Sequence, residues 1–106
     1  MRKATVYRNG ILAGFLSEEA DNKYVFRYED SYFSDREQPS ISLTLSKSQQ
    51  EYQSEYLFPF FYNMLSEGEN RKVQTFQLRI DENDDFGLLL ATAQFDTIGA
   101  ITVKPN

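Results

Sequence analysis

The side chains best suited to chemistry in this sequence belong to an acidic run late in the chain. Asp81, Asn83 and Asp85 alternate with other residues, which is the spacing of the first half of a calcium-binding EF-hand loop. Such a loop needs glycine at its sixth position and glutamate at its twelfth, where this chain has Phe86 and Thr92. The start of a helix explains the same acids, because they stabilise its positive end. We therefore predict no metal site.

Residue types that commonly perform catalysis are missing. The chain contains no cysteine and no histidine, so it lacks the commonest general base, the commonest metal ligand and any disulfide. Its five glycines are scattered singly, and no phosphate-binding loop can be built from them. We predict that the protein is not an enzyme and that it uses no cofactor.

The charge and hydropathy of the chain disfavour nucleic acid and membranes as direct partners. The formal net charge is −5 and the sequence pI is about 4.6, so direct binding to the phosphate backbone of nucleic acid is disfavoured. No apolar run approaches the length of a membrane span, and the N-terminus lacks the apolar segment of a signal peptide. The expectation is a cytoplasmic protein that binds no membrane.

The densest apolar run of the chain covers residues 57–65 and breaks abruptly into polar residues. Pro59 is well placed as the first residue of a helix, because its missing N–H costs nothing there. Phe61, Met64 and Leu65 follow at the spacing of one helical face. The run predicts a short helix with a buried aromatic side.

A tight polar turn is predicted directly after this helix. Gly68 would end the helix, because glycine reaches the left-handed conformation that terminates helices. Ser66 and Glu69 have the spacing of a capping box, which would begin a second helix at once. Buried aromatics would hold the turn and point its polar groups outward, which suits a contact surface. We call this segment the elbow, and its predicted partner-binding residues are Met64, Leu65, Ser66, Glu67, Gly68, Glu69, Asn70 and Arg71.

The beginning of the chain predicts an antiparallel meander. Residues 4–8 and 11–16 are predicted strands, joined by an Asn-Gly pair at residues 9–10 that is the strongest short hairpin signal. The second strand is apolar on both faces, which predicts a central position in the sheet. A polar turn over residues 17–22 would then lead into a third strand, residues 23–28.

The next part of the chain is more polar. Residues 29–40 are predicted to form a loop with one helical turn around Tyr32 and Phe33. Residues 41–45 alternate between apolar and polar side chains, which predicts a fourth strand with one buried face. Residues 46–55 are predicted to be a polar loop.

Two further helices are predicted after the elbow. Val73, Phe76 and Ile80 have the spacing of a buried helical face. Asn83 or Asp84 can cap the next helix. The buried side of that helix is predicted to consist of Phe86, Leu89, Leu90 and Ala93.

Residues 98–104 form the last predicted strand. The elements together predict an α+β fold, a curved and mostly antiparallel sheet of about five strands packed with two or three short helices. We expect a single domain over residues 1–106, because the chain is long enough for one hydrophobic core and too short for two.

The order of these motifs resembles the N-terminal subdomain of HipA-type toxin kinases over nearly the whole chain. Ser66 stands where that family usually has proline, which implies a looser turn or one shaped for a different contact. Residues 93–96 stand where the family often has a Gly-Gly-Asp turn. The segments that carry the resemblance are residues 6–16, 24–28, 41–45, 59–71, 85–89 and 98–105.

The chain stops where the kinase body of that family would begin, and it has none of the ATP-binding or catalytic motifs. It therefore resembles HipS, the small antitoxin of tripartite HipB–HipS–HipT systems, which supplies this subdomain to the kinase HipT in trans. The resemblance implies an antitoxin that binds and inhibits a HipT-like serine/threonine kinase, with a HipB-like DNA-binding protein as a further member of a ternary complex.

Two mechanisms follow from this resemblance. In the first, the elbow faces the kinase cleft and blocks substrate entry or lobe closure. In the second, the chain is a structural subunit that completes or stabilises the kinase complex without inhibiting it. An assay of the kinase with and without this chain distinguishes the two.

Overall fold

The computed structural model describes residues 2–20, 23–65, 68–92 and 100–106, and for residues 68 and 69 the backbone only. Five strands lie in these ranges: β1 (Arg2–Arg8), β2 (Ile11–Ala20), β3 (Lys23–Tyr28), β4 (Glu51–Ser54) and β5 (Ile101–Pro105). Four helices accompany them: α1 (Asp30–Ser34), α2 (Pro59–Tyr62), α3 (Gly68–Leu78) and α4 (Asp85–Thr92). No helix among the described ranges is long and apolar enough to cross a bilayer.

The strands form one antiparallel sheet in the order β4-β3-β2-β1-β5. The predicted α+β class and the central position of β2 are therefore confirmed. The hairpin between β1 and β2 turns at Asn9 and Gly10, whose φ angles are 51° and 78°. Asparagine and glycine reach this left-handed region at little cost, so the local sequence sets the register of the first hairpin.

The hydrophobic core lies on one face of this sheet. Ala4 and Val6 of β1, Leu16 of β2 and Val103 of β5 are fully buried there. The aromatic rings of β3 continue the same layer, because Phe26 packs edge-on against Tyr28 with ring centroids 4.9 Å apart. The helices cover this layer with Tyr32, Phe61, Phe86, Leu88 and Leu89.

The predicted turn over residues 17–22 is wrong at its start, because β2 continues through Ala20. Ser17 and Glu18 pair with β1, and Ala20 pairs with Lys23 of β3. Polar residues are tolerated here because Glu18 accepts hydrogen bonds from Arg2, so its charge on the core side of the sheet is neutralised.

The predicted strand over residues 41–45 is also wrong. Leu43–Leu45 form a turn of 3₁₀ helix, in which the Ser42 hydroxyl accepts the Thr44 N–H at 3.2 Å. The Ile41 N–H donates to the Tyr28 hydroxyl at 3.0 Å, and that hydroxyl donates to the Leu45 carbonyl. One buried tyrosine therefore satisfies the first N–H and the last carbonyl of the segment that was predicted to be a strand.

The strand beside β3 is instead β4, within the residues predicted to be a polar loop. Its polarity reflects its place at the edge of the sheet, where Glu51 and Gln53 face solvent and charge discourages pairing with other chains. Tyr52 points the other way, packs on the core and donates its hydroxyl to the Ser46 carbonyl at 2.6 Å.

Helix α2 begins at Pro59 as predicted, and it ends at Tyr62 with the turn continuing to Leu65. The prediction that Gly68 ends this helix is wrong, because Gly68 is the first residue of α3. Ser66 of the predicted capping box lies outside the described residues.

The predicted buried face of α3 is wrong as well. Val73 and Phe76 are 52% and 86% exposed, and the inward side of the helix carries Arg71 and the buried Thr75. The apolar spacing is helical, as predicted, but it marks the outer side of the helix. A pattern of spacing alone does not reveal which side of a helix faces the protein.

The last helix and strand follow the prediction where they are described. Asp84 caps α4, because its carboxylate accepts the Gly87 N–H at 3.1 Å. Phe86 and Leu89 are buried as predicted, and so is Leu88, which was not predicted. Ala93 and the first residues of the last predicted strand lie outside the described ranges.

We expect Tyr28→Phe to destabilise the protein by about 1–3 kcal/mol, because it leaves a buried N–H and a buried carbonyl without their partner. Urea denaturation measures the effect. Tyr56→Phe is the matched control, since the Tyr56 side chain is 76% exposed and its hydroxyl supports no buried group. Equal stability of the two variants would show that the Tyr28 hydroxyl does not hold the 3₁₀ turn.

Candidate partner-binding site

The helix that precedes the elbow is held to the core by an aromatic side chain. Phe61 of α2 is fully buried, and its ring centroid lies 5.8 Å from Phe26 and 5.2 Å from Phe60. Leu65, the second residue of the elbow, is also part of the core. The N-terminal side of the elbow is therefore fixed to the sheet by apolar packing.

The other end of the elbow is fixed by an arginine. The Arg71 guanidinium donates two hydrogen bonds to the Glu82 carbonyl, at 2.7 and 3.1 Å, and a third to the Asp85 carboxylate at 2.5 Å. Its side chain is only 12% exposed. Charge-assisted hydrogen bonds of this kind are stronger than neutral ones. Arg71 therefore holds the first turns of α3 against the N-terminal end of α4.

A second arginine holds the same end of α4 to the sheet. Arg2 of β1 donates to both oxygens of Asp84, at 2.9 and 2.8 Å, and also to Glu18 of β2. Its guanidinium carbon lies 5.4 Å from the centre of the Phe86 ring. Gly87 leaves room for this arrangement, because a Cβ atom there would lie 2.3 Å from an Asp84 carboxylate oxygen.

The surroundings of Arg2 shift the pKa values of two neighbouring groups. The hydrogen bond from Arg2 is the main reason that the pKa of Asp84 lies below its ordinary value. Burial, and then the hydrogen bond to Glu18, raise the pKa of Tyr24. Asp84 and Asp85, which belong to the acidic run considered as a metal site, are thus each bound to an arginine.

The structure separates the predicted partner-binding residues by accessibility. Met64 is half-buried and Asn70 is exposed, whereas Leu65 and Arg71 are structural anchors. Gly68 and Glu69 belong to α3, and their side chains are not described. Ser66 and Glu67 lie outside the described residues.

Two apolar surfaces were missed by the sequence analysis. One is the outer side of α3, formed by Val73 and Phe76. The other is Leu43, whose side chain is 99% exposed on the 3₁₀ turn. Their spacing resembles that of buried residues, so nothing in the local sequence distinguishes them from core positions.

The outer face of the sheet carries a shallow, open groove of about 350 Å³. Its charged side chains have both signs, so it does not favour a ligand of one charge. The groove is lined by Lys3, Phe15, Ser17, Glu19, Val25, Arg27, Glu51 and Asn106.

Comparison with known proteins gives consistent matches over the whole chain. Residues 4–104 match the family described as HipA N-terminal domain. An uncharacterized protein of Haemophilus influenzae is 28% identical over 104 residues, which are 98% of this chain and 92% of that protein. A solved structure, the N-terminal domain of HipA toxin, superposes with a TM-score of 0.72 at 25% identity, covering 100% of this chain and 93% of the other.

We expect acid to destabilise the protein partly through Asp84. Its pKa is lower in the folded protein than in the unfolded chain, where it is about 3.9. The stabilisation is complete above the unfolded value and is lost as the pH falls through that value and then the folded one. Asp84→Asn keeps a helix-capping side chain, so it should reduce the dependence of the free energy of unfolding on pH below about 4.

Urea denaturation at a series of pH values tests this expectation. The same slope in the natural protein and in Asp84→Asn would show that the Arg2 pair does not contribute to acid sensitivity. Asp81→Asn is the control, because Asp81 lies in the same acidic run and is not paired with Arg2.

We expect Arg71→Gln to lower the free energy of unfolding by about 1–2 kcal/mol, because three hydrogen bonds between α3 and α4 are lost. Asn70→Ala is the neighbouring control on the same helix, since the Asn70 side chain is exposed. Chemical denaturation of both variants measures the difference. A stable Arg71→Gln variant would mean that this arginine is free to serve a partner instead.

Proposed function

This chain belongs to the HipA N-terminal domain family, and from that membership we propose that it is a HipS-like antitoxin that binds a HipT-like serine/threonine kinase and inhibits it. The inhibition works through protein contact in the cytoplasm, without catalysis by this chain. A HipB-like DNA-binding protein is the proposed third member of the complex.

The observation that carries this proposal is the extent of the family match. It runs from residue 4 to residue 104, and the solved HipA domain is covered over 93% of its length. The Haemophilus relative is covered over 92% of its own length, which leaves no room in that protein for a kinase. In that relative the domain could act on a kinase only in trans, and this supports the same arrangement as our proposal for the present chain.

The composition of the chain supports contact rather than chemistry. Without histidine or cysteine, the chain has few means of attacking or transferring a group. An acidic protein of net charge −5 is also poorly suited to hold DNA itself, which supports the proposal of a separate DNA-binding partner.

The elbow is the proposed inhibitory element. Its two ends are held by different means, Leu65 by the hydrophobic core and Arg71 by α4. The exposed Asn70 and the half-buried Met64 are the described residues that can contact the kinase there.

The first test is co-expression of this chain with a HipT-like kinase, followed by affinity purification and a phosphorylation assay. A stable complex without kinase activity supports the antitoxin proposal. A stable complex with full activity identifies the chain as a structural subunit instead. The absence of any complex contradicts both functions.

The elbow is tested with the triple variant Ser66→Ala, Glu67→Ala and Glu69→Ala. Arg71 is kept because its side chain holds α3 to α4. We expect the triple variant to lose most of its inhibition while it remains folded, which urea denaturation verifies.

The control for the triple variant is Gln49→Ala, Glu51→Ala and Gln53→Ala, a set of polar substitutions around the edge strand. Full inhibition by the elbow variant would show that another surface blocks the kinase. Loss of inhibition by both variants would show that the effect is not specific to the elbow.

A further inference from the structure

The apolar side of helix α3 faces outward and its polar side faces the rest of the protein, which is the reverse of the usual arrangement. Its inward side carries the polar residues Arg71 and Thr75, and the Thr75 hydroxyl donates back to the Arg71 carbonyl at 3.0 Å. Its outward side carries Val73 and Phe76, which are among the most exposed large apolar residues of the described chain. A surface helix normally places its apolar side on the core, so this arrangement needs a separate explanation.

The exposed residues continue directly from the elbow. Asn70, Val73 and Phe76 follow one another at intervals of three, so their side chains form one row along the surface of α3. We call these three residues the α3 ridge. Asn70 is also the last elbow residue with an exposed side chain, so a partner that contacts the elbow there also lies against Val73 and Phe76.

From this continuity we infer that the α3 ridge is the surface by which this chain anchors itself to its kinase partner, while the elbow supplies the inhibition. The inference rests on the proposed function. It assigns affinity and inhibition to two adjacent segments, which can be changed independently.

The size of the ridge favours the kinase over a second copy of this chain. A stable interface buries about 800 Å² on each partner, whereas one large aromatic side chain contributes about 150–250 Å². The ridge is thus too small to hold a dimer alone. Because Asn70 belongs to both the elbow and the α3 ridge, a kinase that contacts the elbow at Asn70 extends its contact over Val73 and Phe76.

The α3 ridge has a fixed orientation already in the free protein. Arg71 fixes α3 to α4 through hydrogen bonds to Glu82 and Asp85, so the row of side chains keeps its direction before the partner arrives. Interfaces are enriched in aromatic residues and draw most of their affinity from a few buried side chains. Phe76, 86% exposed in the free chain, is the side chain that gains most from being covered.

The test is the double variant Val73→Ala and Phe76→Ala, which preserves helix propensity and removes only exposed apolar atoms. Binding to purified HipT-like kinase is measured by titration calorimetry, and kinase activity is measured over a range of antitoxin concentrations. We expect the dissociation constant to rise by about 30-fold or more, with inhibition restored at high concentration.

Leu43→Ala is the matched control, because it also removes an exposed apolar side chain but lies on the 3₁₀ turn. It should leave the dissociation constant unchanged. The triple elbow variant should show the opposite behaviour to the ridge variant, with binding retained and inhibition lost. Denaturation curves verify that each variant is folded.

Three results would overturn the inference. If the natural chain inhibits the kinase and the ridge variant binds equally well, the anchor lies elsewhere and the proposed function stands. If the natural chain binds no HipT-like kinase, the proposed function fails and the inference fails with it. If the free natural chain is a dimer by light scattering and the ridge variant a monomer, the ridge is a contact between copies.

Discussion

The interaction on which the rest of the structure depends is the pairing of two neighbouring carboxylates at the beginning of α4 with two distant arginines. Asp84 binds Arg2 from the first strand, and Asp85 binds Arg71 from the helix that follows the elbow. The carboxylates also lie at the positive end of α4, which favours their charge. The N-terminal end of α4 is thereby connected both to the sheet and to the elbow.

This connection bears on the inhibitory role that we propose for the elbow. The elbow follows helix α2, whose Phe61 packs in the core. It ends within helix α3, whose Arg71 forms an ion pair with Asp85. Because these anchors lie on the inward sides of α2 and α3, the outward sides remain available to a partner. The proposed division into an anchoring α3 ridge and an inhibitory elbow uses these outward sides.

Much of the fold was predictable because its signals are local. The Asn-Gly turn, the strands beside it, Pro59 at the start of α2 and Asp84 at the start of α4 each follow from the conformational preferences of a few neighbouring residues. The order of the motifs also indicated the family that the comparisons show. For the candidate site, the sequence predicts a partner-binding segment, and the structure adds that Leu65 and Arg71 within it are anchored to the rest of the protein.

The sequence by itself determined the α+β class, the first hairpin, the starts of α2 and α4 and the family, because each depends on local conformation or on the order of motifs. Only the tertiary structure decided the edge strand Glu51–Ser54, the 3₁₀ turn beside Tyr28 and the orientation of α3. Each of these three features depends on contacts with residues that are distant in the sequence. The spacing of Val73 and Phe76 fits a buried or an exposed face equally well, and the contacts of Arg71 turn that face outward.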